Sequence, residues 1–345
     1  NVRREYAPGT GWAMTDYPQT HGWLNLFDPP RISAASAPDR ETASDPDASE
    51  AEQVDALNRL LEIAQLSVDP LEYPEIQVLR AGFHFAHGNY AIAQVELSSA
   101  YERYQTATAS HELAVVGWLL GLAERELGLR IEAVNHWRFA RGQFILLGQI
   151  FREDGNTLRA DWYASTAREM GGVLACTPEE AYMWNRGLNE YEGTAPVGAQ
   201  ETLRMRLETA ANEGDAALAN QIIDRLLQLS LSQYQSLQKG EVFLECGFWK
   251  YQLGDTPAAY SYLKDAIRIH HPETIRQALS RWILGAIQLN DALMTAKAFQ
   301  NWTVCRQAFE RQRQQANWDK NLELLKWYRE KLEQMDLAFA RMAGS

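Results

Sequence analysis

The chain has 345 residues, 46% of them apolar, with 33 basic against 45 acidic side chains and a net charge of −12. That length exceeds one ordinary globular core, so two domains or a repeat array are the natural solutions, and the apolar content suffices to bury an interior. The acidic balance excludes a phosphate-tracking surface, which needs clustered Lys and Arg to displace counterions, so nucleic acid is not an expected partner.

Half of the charge excess sits at the start, where residues 1–55 hold four Arg against ten Asp and Glu, a local balance of −6. The body is therefore only mildly acidic. Residues 1–50 also carry six of the twelve prolines and read as an extended, non-helical arm, because a proline inside a helix removes a hydrogen bond and clashes with the preceding turn. The stretch 33–50 is small, polar and acidic, the composition of a linker that cannot bury enough surface to fold. Ahead of it, Trp12, Tyr17, Trp23 and Phe27 are too dense a set of aromatics to stay in water. They are expected to dock on the chain's own body or on a partner. The chain begins at Asn1 rather than Met, as a processed or excised product does.

From residue 51 the pattern turns helical. Fourteen apolar-periodic stretches follow, at about 51–67, 73–87, 90–106, 111–127, 131–153, 156–170, 178–192, 197–213, 215–230, 233–253, 257–270, 273–289, 291–315 and 319–343, with no strand–turn–strand pattern between them. Thr256 and Pro257 form a start signal, an N-cap followed by a first-turn proline. Three segments result: the arm and linker (1–50), a helical repeat region (51–315) and a last helix (316–345).

Internal periodicity is the strongest signal. Three windows share one template: a small residue, Gly seven later, Ala five after that, a large apolar residue four on, and Ala three on. They are Ala81, Gly88, Ala93, Leu97 and Ala100; Gly121, Gly128, Ala133, Trp137 and Ala140; and Gly247, Gly254, Ala259, Leu263 and Ala266. The small residue and the first Ala lie where two antiparallel helices touch, and a larger side chain would force them apart. The Gly ends the first helix in a left-handed conformation that costs little without a Cβ. Weaker copies begin at Leu207 and Ala286, and a degenerate one near Ala164 and Gly171 has Glu180 where a large apolar residue belongs and a second helix starting late at Pro178.

This template resembles the tetratricopeptide repeat superfamily, with Leu120-Gly121, Ala133, Trp137 and Ala140 as the nearest match. The spacing of about 40 residues exceeds the usual 34 and is similar to the longer-helix repeats of bacterial signalling regulators. The resemblance implies an all-α fold, a right-handed α-solenoid of antiparallel helix pairs. It also implies a concave groove lined by first-helix residues: Val78, Gly82 and Phe85; Trp118 and Leu122; Leu244, Phe248 and Tyr251; Ile283 and Ile287. Chaperone-binding relatives present Lys, Asn and Arg there to grip a terminal carboxylate, and this chain does not. An apolar, aromatic lining suits an amphipathic helix or an apolar peptide, unless the same residues pack against neighbouring helices.

In the last helix, Trp318, Leu325, Leu332 and Phe339, with Tyr328, Met335 and Met342, make a heptad stripe. It either caps the repeat array, as terminal repeats must, or forms a seam for self-association. No phosphate-binding loop, nucleophile elbow or zinc-protease motif is present, so no catalytic, cofactor or metal residues are assigned and the chain is not expected to be an enzyme. His84 and His87, three apart, are read as packing residues rather than metal ligands, and His270 as a helix-end imidazolium favoured by the dipole. Cys176, Cys246 and Cys305 read as buried free thiols. No apolar run is long enough to span a bilayer and no signal peptide is visible, so the expected setting is cytoplasmic. The functional expectation is a non-catalytic scaffold or assembly factor holding a protein or peptide through groove and arm. The alternative is a ligand- or peptide-sensing helical module of a bacterial regulatory system.

Overall fold

The structure is a computed structural model that describes residues 37–45, 47–107, 110–191, 199–233, 236–271, 274–289 and 292–344. Among them are fifteen α-helices, one 3₁₀ turn and no strand. None of these helices is long and apolar enough to cross a membrane. The chain divides into two compact units, residues 1–171 and 172–345.

The first unit holds α1 (Ala37–Ser44), α2 (Glu50–Gln65), α3 (Glu72–Ala86), α4 (Tyr90–Thr106), α5 (Ser110–Glu126), α6 (Arg130–Glu153) and most of α7 (Thr157–Ala175). Helices α1 to α6 pack each on the next, the consecutive stacking of a tetratricopeptide-like helical solenoid. Helix α1 corrects the expectation of a non-helical linker over 33–50. Pro38 occupies its first turn, where the missing N–H costs nothing. Tertiary contacts then hold the helix: Arg40 donates to the Glu75 carboxylate at 2.6 Å, Asp39 accepts from Arg59, and Ala43 joins Leu57, Leu60, Ile76 and Phe83 in the core. Helix α2 starts at a capping box, with Ser49 and Glu52 satisfying each other's backbone N–H.

The second unit comprises the end of α7, α8 (Pro178–Tyr191), α9 (Ala199–Asn212), α10 (Ala216–Gln233), α11 (Ser236–Gln252), α12 (Thr256–Ile269), α13 (Ile275–Gln288), α14 (Thr295–Trp318) and α15 (Leu322–Gly344). Here α9–α10, α11–α12 and α13–α14 are hairpins, and α15 packs on α14. The cap of α12 is Asp255 rather than Thr256, its carboxylate accepting from the Ala258 N–H at 3.2 Å, so Pro257 falls at the second helical position. Leu325, Tyr328, Leu332 and Met335 of the heptad stripe are buried within the unit. Trp318 instead ends α14 and is 83% exposed.

The turns follow the template. Gly88, Gly128, Gly214 and Gly254 all have φ between +73° and +80°, the left-handed region that a Cβ disfavours. Gly171 does not take this role, because α7 runs on through it to Ala175. The last hairpin lacks a glycine at the turn and uses the 3₁₀ segment Ala292–Met294.

Candidate functional site

Trp12, Tyr17, Trp23 and Phe27 lie outside the described residues. The ten groove residues Val78, Gly82, Phe85, Trp118, Leu122, Leu244, Phe248, Tyr251, Ile283 and Ile287 are all less than a tenth exposed. The structure therefore places them in the helix–helix interior and not along an open channel, which corrects the expectation of an accessible lining. In the first unit Phe85 packs edge-on to Tyr90, and every residue from Leu113 to Glu124 is buried. In the second unit the covering element is α8. Its Tyr182 ring stacks on Phe248 at 4.0 Å with 3° between planes, and Trp184 lies beside Trp282 at 6.1 Å. Glu179, Tyr182, Asn185 and Asn189 meet Gln252, Glu245 and Glu241 in turn, so α8 runs antiparallel along α11.

What α8 leaves open is a polar cleft of about 240 Å³ bounded by α8, α9 and α11. Asn185 and Asn189 are one turn apart on α8, as are Glu241 and Glu245 on α11, so each pair shares a helix face. The Glu241 carboxylate accepts from Asn185 Nδ2 at 2.9 Å, from Asn189 Nδ2 at 3.1 Å and from Arg276 Nη1 at 2.5 Å. Arg276, on α13, also donates to Asn189 Oδ1. Glu245 accepts from Arg204 Nε of α9 and from the Tyr182 hydroxyl at 3.4 Å. Nearer the opening, Arg186 faces Glu208 at 3.6 Å, and Met205 is 62% exposed. Three polar groups of lining residues remain unfilled. Asn185 Oδ1 and the Trp249 indole N–H have no partner although both residues are 3% exposed, and the Glu201 carboxylate meets no cation among the described residues.

Burial and charge pull these groups in different directions. Burial alone would push the Glu241 carboxyl up, but the Arg276 guanidinium and the hydrogen bonds from Asn185 and Arg276 hold it below the ordinary range. At Glu245 burial outweighs Arg204, and the carboxyl is raised. Burial also raises the Tyr182 hydroxyl well above its usual value. His270 caps α12 behind the cleft, its ring 3.8 Å from Glu241 and closely packed on Gly240. Its burial lowers the imidazole, more than Glu241 raises it, which favours the neutral ring and corrects the expected helix-end imidazolium. Elsewhere, His87 at the end of α3 is largely exposed, with its ring packed on Phe83 at 4.3 Å between centroids and Nδ1 2.8 Å from the Phe83 carbonyl. Cys246 and Cys305 are buried free thiols and Cys176 is partly buried.

Sequence reasoning passed over this cleft because Glu180 and Pro178 made α8 look like a failed repeat. The signal was present as paired polar residues four apart, Asn185 with Asn189 and Glu241 with Glu245, on helices otherwise rich in apolar residues.

No family model matches the sequence, and no curated protein matches it. Among solved structures, one similar chain is the apo form of the quorum sensor NprR from B. thuringiensis, at 13% identity and a TM-score of 0.29, the match covering 92% of this chain and 97% of that one.

Proposed function

We propose that this chain is a non-catalytic binding module of helix pairs that takes a peptide or protein segment in the cleft between α8, α9 and α11. The observation that carries the reading is the unfilled Asn185 Oδ1, a buried acceptor in a cleft otherwise built from amide and charge pairs. An unpaired buried polar atom costs roughly 1–3 kcal/mol, and a peptide supplies the N–H groups that remove that cost. The arginine–carboxylate pairs spend their charges on each other, which suits a fixed recognition surface better than proton transfer. Burial of the expected apolar groove favours this polar site over docking of an amphipathic helix in that groove.

The test is a melting-temperature measurement with pools of random pentapeptides. Ligand at 100 times its Kd stabilises by about 2.7 kcal/mol, so binding members raise Tm. Met205→Trp fills the cleft mouth at an exposed position and is expected to abolish that rise while melting like wild type without peptide. An equal rise in Met205→Trp, or none in wild type, would remove the basis for the reading.

A further inference from the structure

Resting on the peptide reading above, we infer that the cleft selects the amino-terminal end of a peptide, its α-ammonium held by the Glu201 carboxylate and Asn185 Oδ1.

Charge bookkeeping points that way. Three guanidinium groups serve the cleft, and each already faces a carboxylate: Arg204 with Glu245, Arg276 with Glu241, Arg186 with Glu208. Glu201, in the first turn of α9, is the fourth carboxylate and is left over. A second unfilled group, Asn185 Oδ1, cannot be exchanged for a donor by turning the amide. Its Nδ2 is committed to Glu241 at 2.9 Å, and a reversed amide would set oxygen against oxygen. Glu201 and Asn185 Oδ1 are therefore open acceptors, one of them charged, while the Trp249 indole N–H on the same lining is an open donor. A ligand that satisfies all three must donate hydrogen bonds, bring positive charge and offer an acceptor, as an amino terminus with its first carbonyl does.

Size supplies the second constraint. A volume of about 240 Å³ falls short of the roughly 300–1,000 Å³ that encloses a whole drug-sized ligand, so the cleft fits the end of a chain and not its length. Of the two ends, a carboxylate only accepts, and Glu201 would repel it. An ammonium offers three N–H donors and a full charge, and capture of a terminal amine is an established way of reading peptides. Tyr182 and Trp249, whose rings lie 6.3 Å apart, line the same cleft.

The decisive experiment titrates the full chain with two random pentapeptide pools identical except that one is N-acetylated, using wild type and Glu201→Gln. Wild type is expected to bind the free-amine pool about tenfold more tightly, the scale of one charged hydrogen bond. Glu201→Gln is expected to reduce that preference to within about twofold. Equal affinity of wild type for both pools overturns the amine assignment and leaves the peptide reading standing. A preference that survives intact in Glu201→Gln overturns it as well. Binding of neither pool overturns both.

Discussion

A single side-chain arrangement recurs where the hairpins are tightest. In α5–α6 the Trp137 indole slides beneath Gly121 and donates to the Trp118 carbonyl at 3.1 Å; in α13–α14 Trp302 does the same beneath Gly285, donating to the Trp282 carbonyl at 2.9 Å. The donor reaches a carbonyl three residues before the glycine in both cases, so hydrogen bond and close packing come from one contact. A Cβ at Gly285 would lie 2.5 Å from the indole Nε1 of Trp302, and one at Gly121 equally close to that of Trp137. Gly285→Ala is therefore expected to destabilise by about 1–3 kcal/mol through overpacking, despite the better helix propensity of Ala. Urea unfolding measures this, with Gly142→Ala as the control, since a Cβ there meets nothing. A stabilised Gly285→Ala would show that the indole can move aside. The repeat template marked Gly121 as the close-approach position of α5–α6, against Ala133 rather than Trp137, and placed the corresponding position of α13–α14 at Ala286. The turn there is one residue longer and built as a 3₁₀ segment, and spacing counted back from Trp302 with a fixed loop misses by one.

Whole elements were legible where their periodicity was internal. All fourteen expected helices from residue 51 onward are present, because each carries its own apolar stripe and punctuation. Helix α1 was hidden, since its stability comes from Arg40 meeting Glu75, 35 residues away, and from Ala43 meeting the core, contacts that composition does not show. Helix α8 was visible as a helix but not as a cover. Its burial against α11 depends on Tyr182 finding Phe248 and on Arg276 joining Asn189 to Glu241, pairings spread over ninety positions. The anchoring of α8 can be tested at that hub. Arg276→Met leaves the Glu241 carboxylate without its cation in a largely buried setting, and breaking one partner of such a pair costs about 3–5 kcal/mol. Adding Glu241→Met is expected to recover part of the loss, since the carboxylate's desolvation penalty goes with it. Equilibrium unfolding of both single variants and the double variant closes the cycle. Additive effects would mean that Arg276 acts on α8 through Asn189 rather than through Glu241.

At the scale of the whole molecule, the buried polar hub of the second unit makes stability depend on pH in two windows. Glu241 has a folded-state pKa below its ordinary value of 4.5, so its contribution is full above that value and is lost as pH falls through the folded pKa. His270 also has its pKa lowered, from an ordinary 6.5, by burial. The unfolded chain then takes up a proton that the folded chain refuses, and stability declines as pH falls below about 6.5. The groups facing that ring are Glu241 from α11 and Arg276 from α13. Glu241 opposes the shift and Arg276 reinforces it. Glu245 works in the opposite sense: its raised carboxyl favours the fold at low pH and that benefit fades as pH rises through its folded value. Urea midpoints measured from pH 7.5 to 3.5 are thus expected to fall first below 6.5 and again below 4.5. His84 in the first unit, also lowered by burial, adds to the upper window, so the variants decide the assignment by slope rather than by absolute stability. His270→Gln should flatten part of the decline between pH 6.5 and 5 while leaving the acid limb, and Glu241→Gln should flatten the acid limb. An unaltered upper slope in His270→Gln would show that the ring takes up its proton equally in the folded and unfolded chains, and that the upper window belongs to other groups.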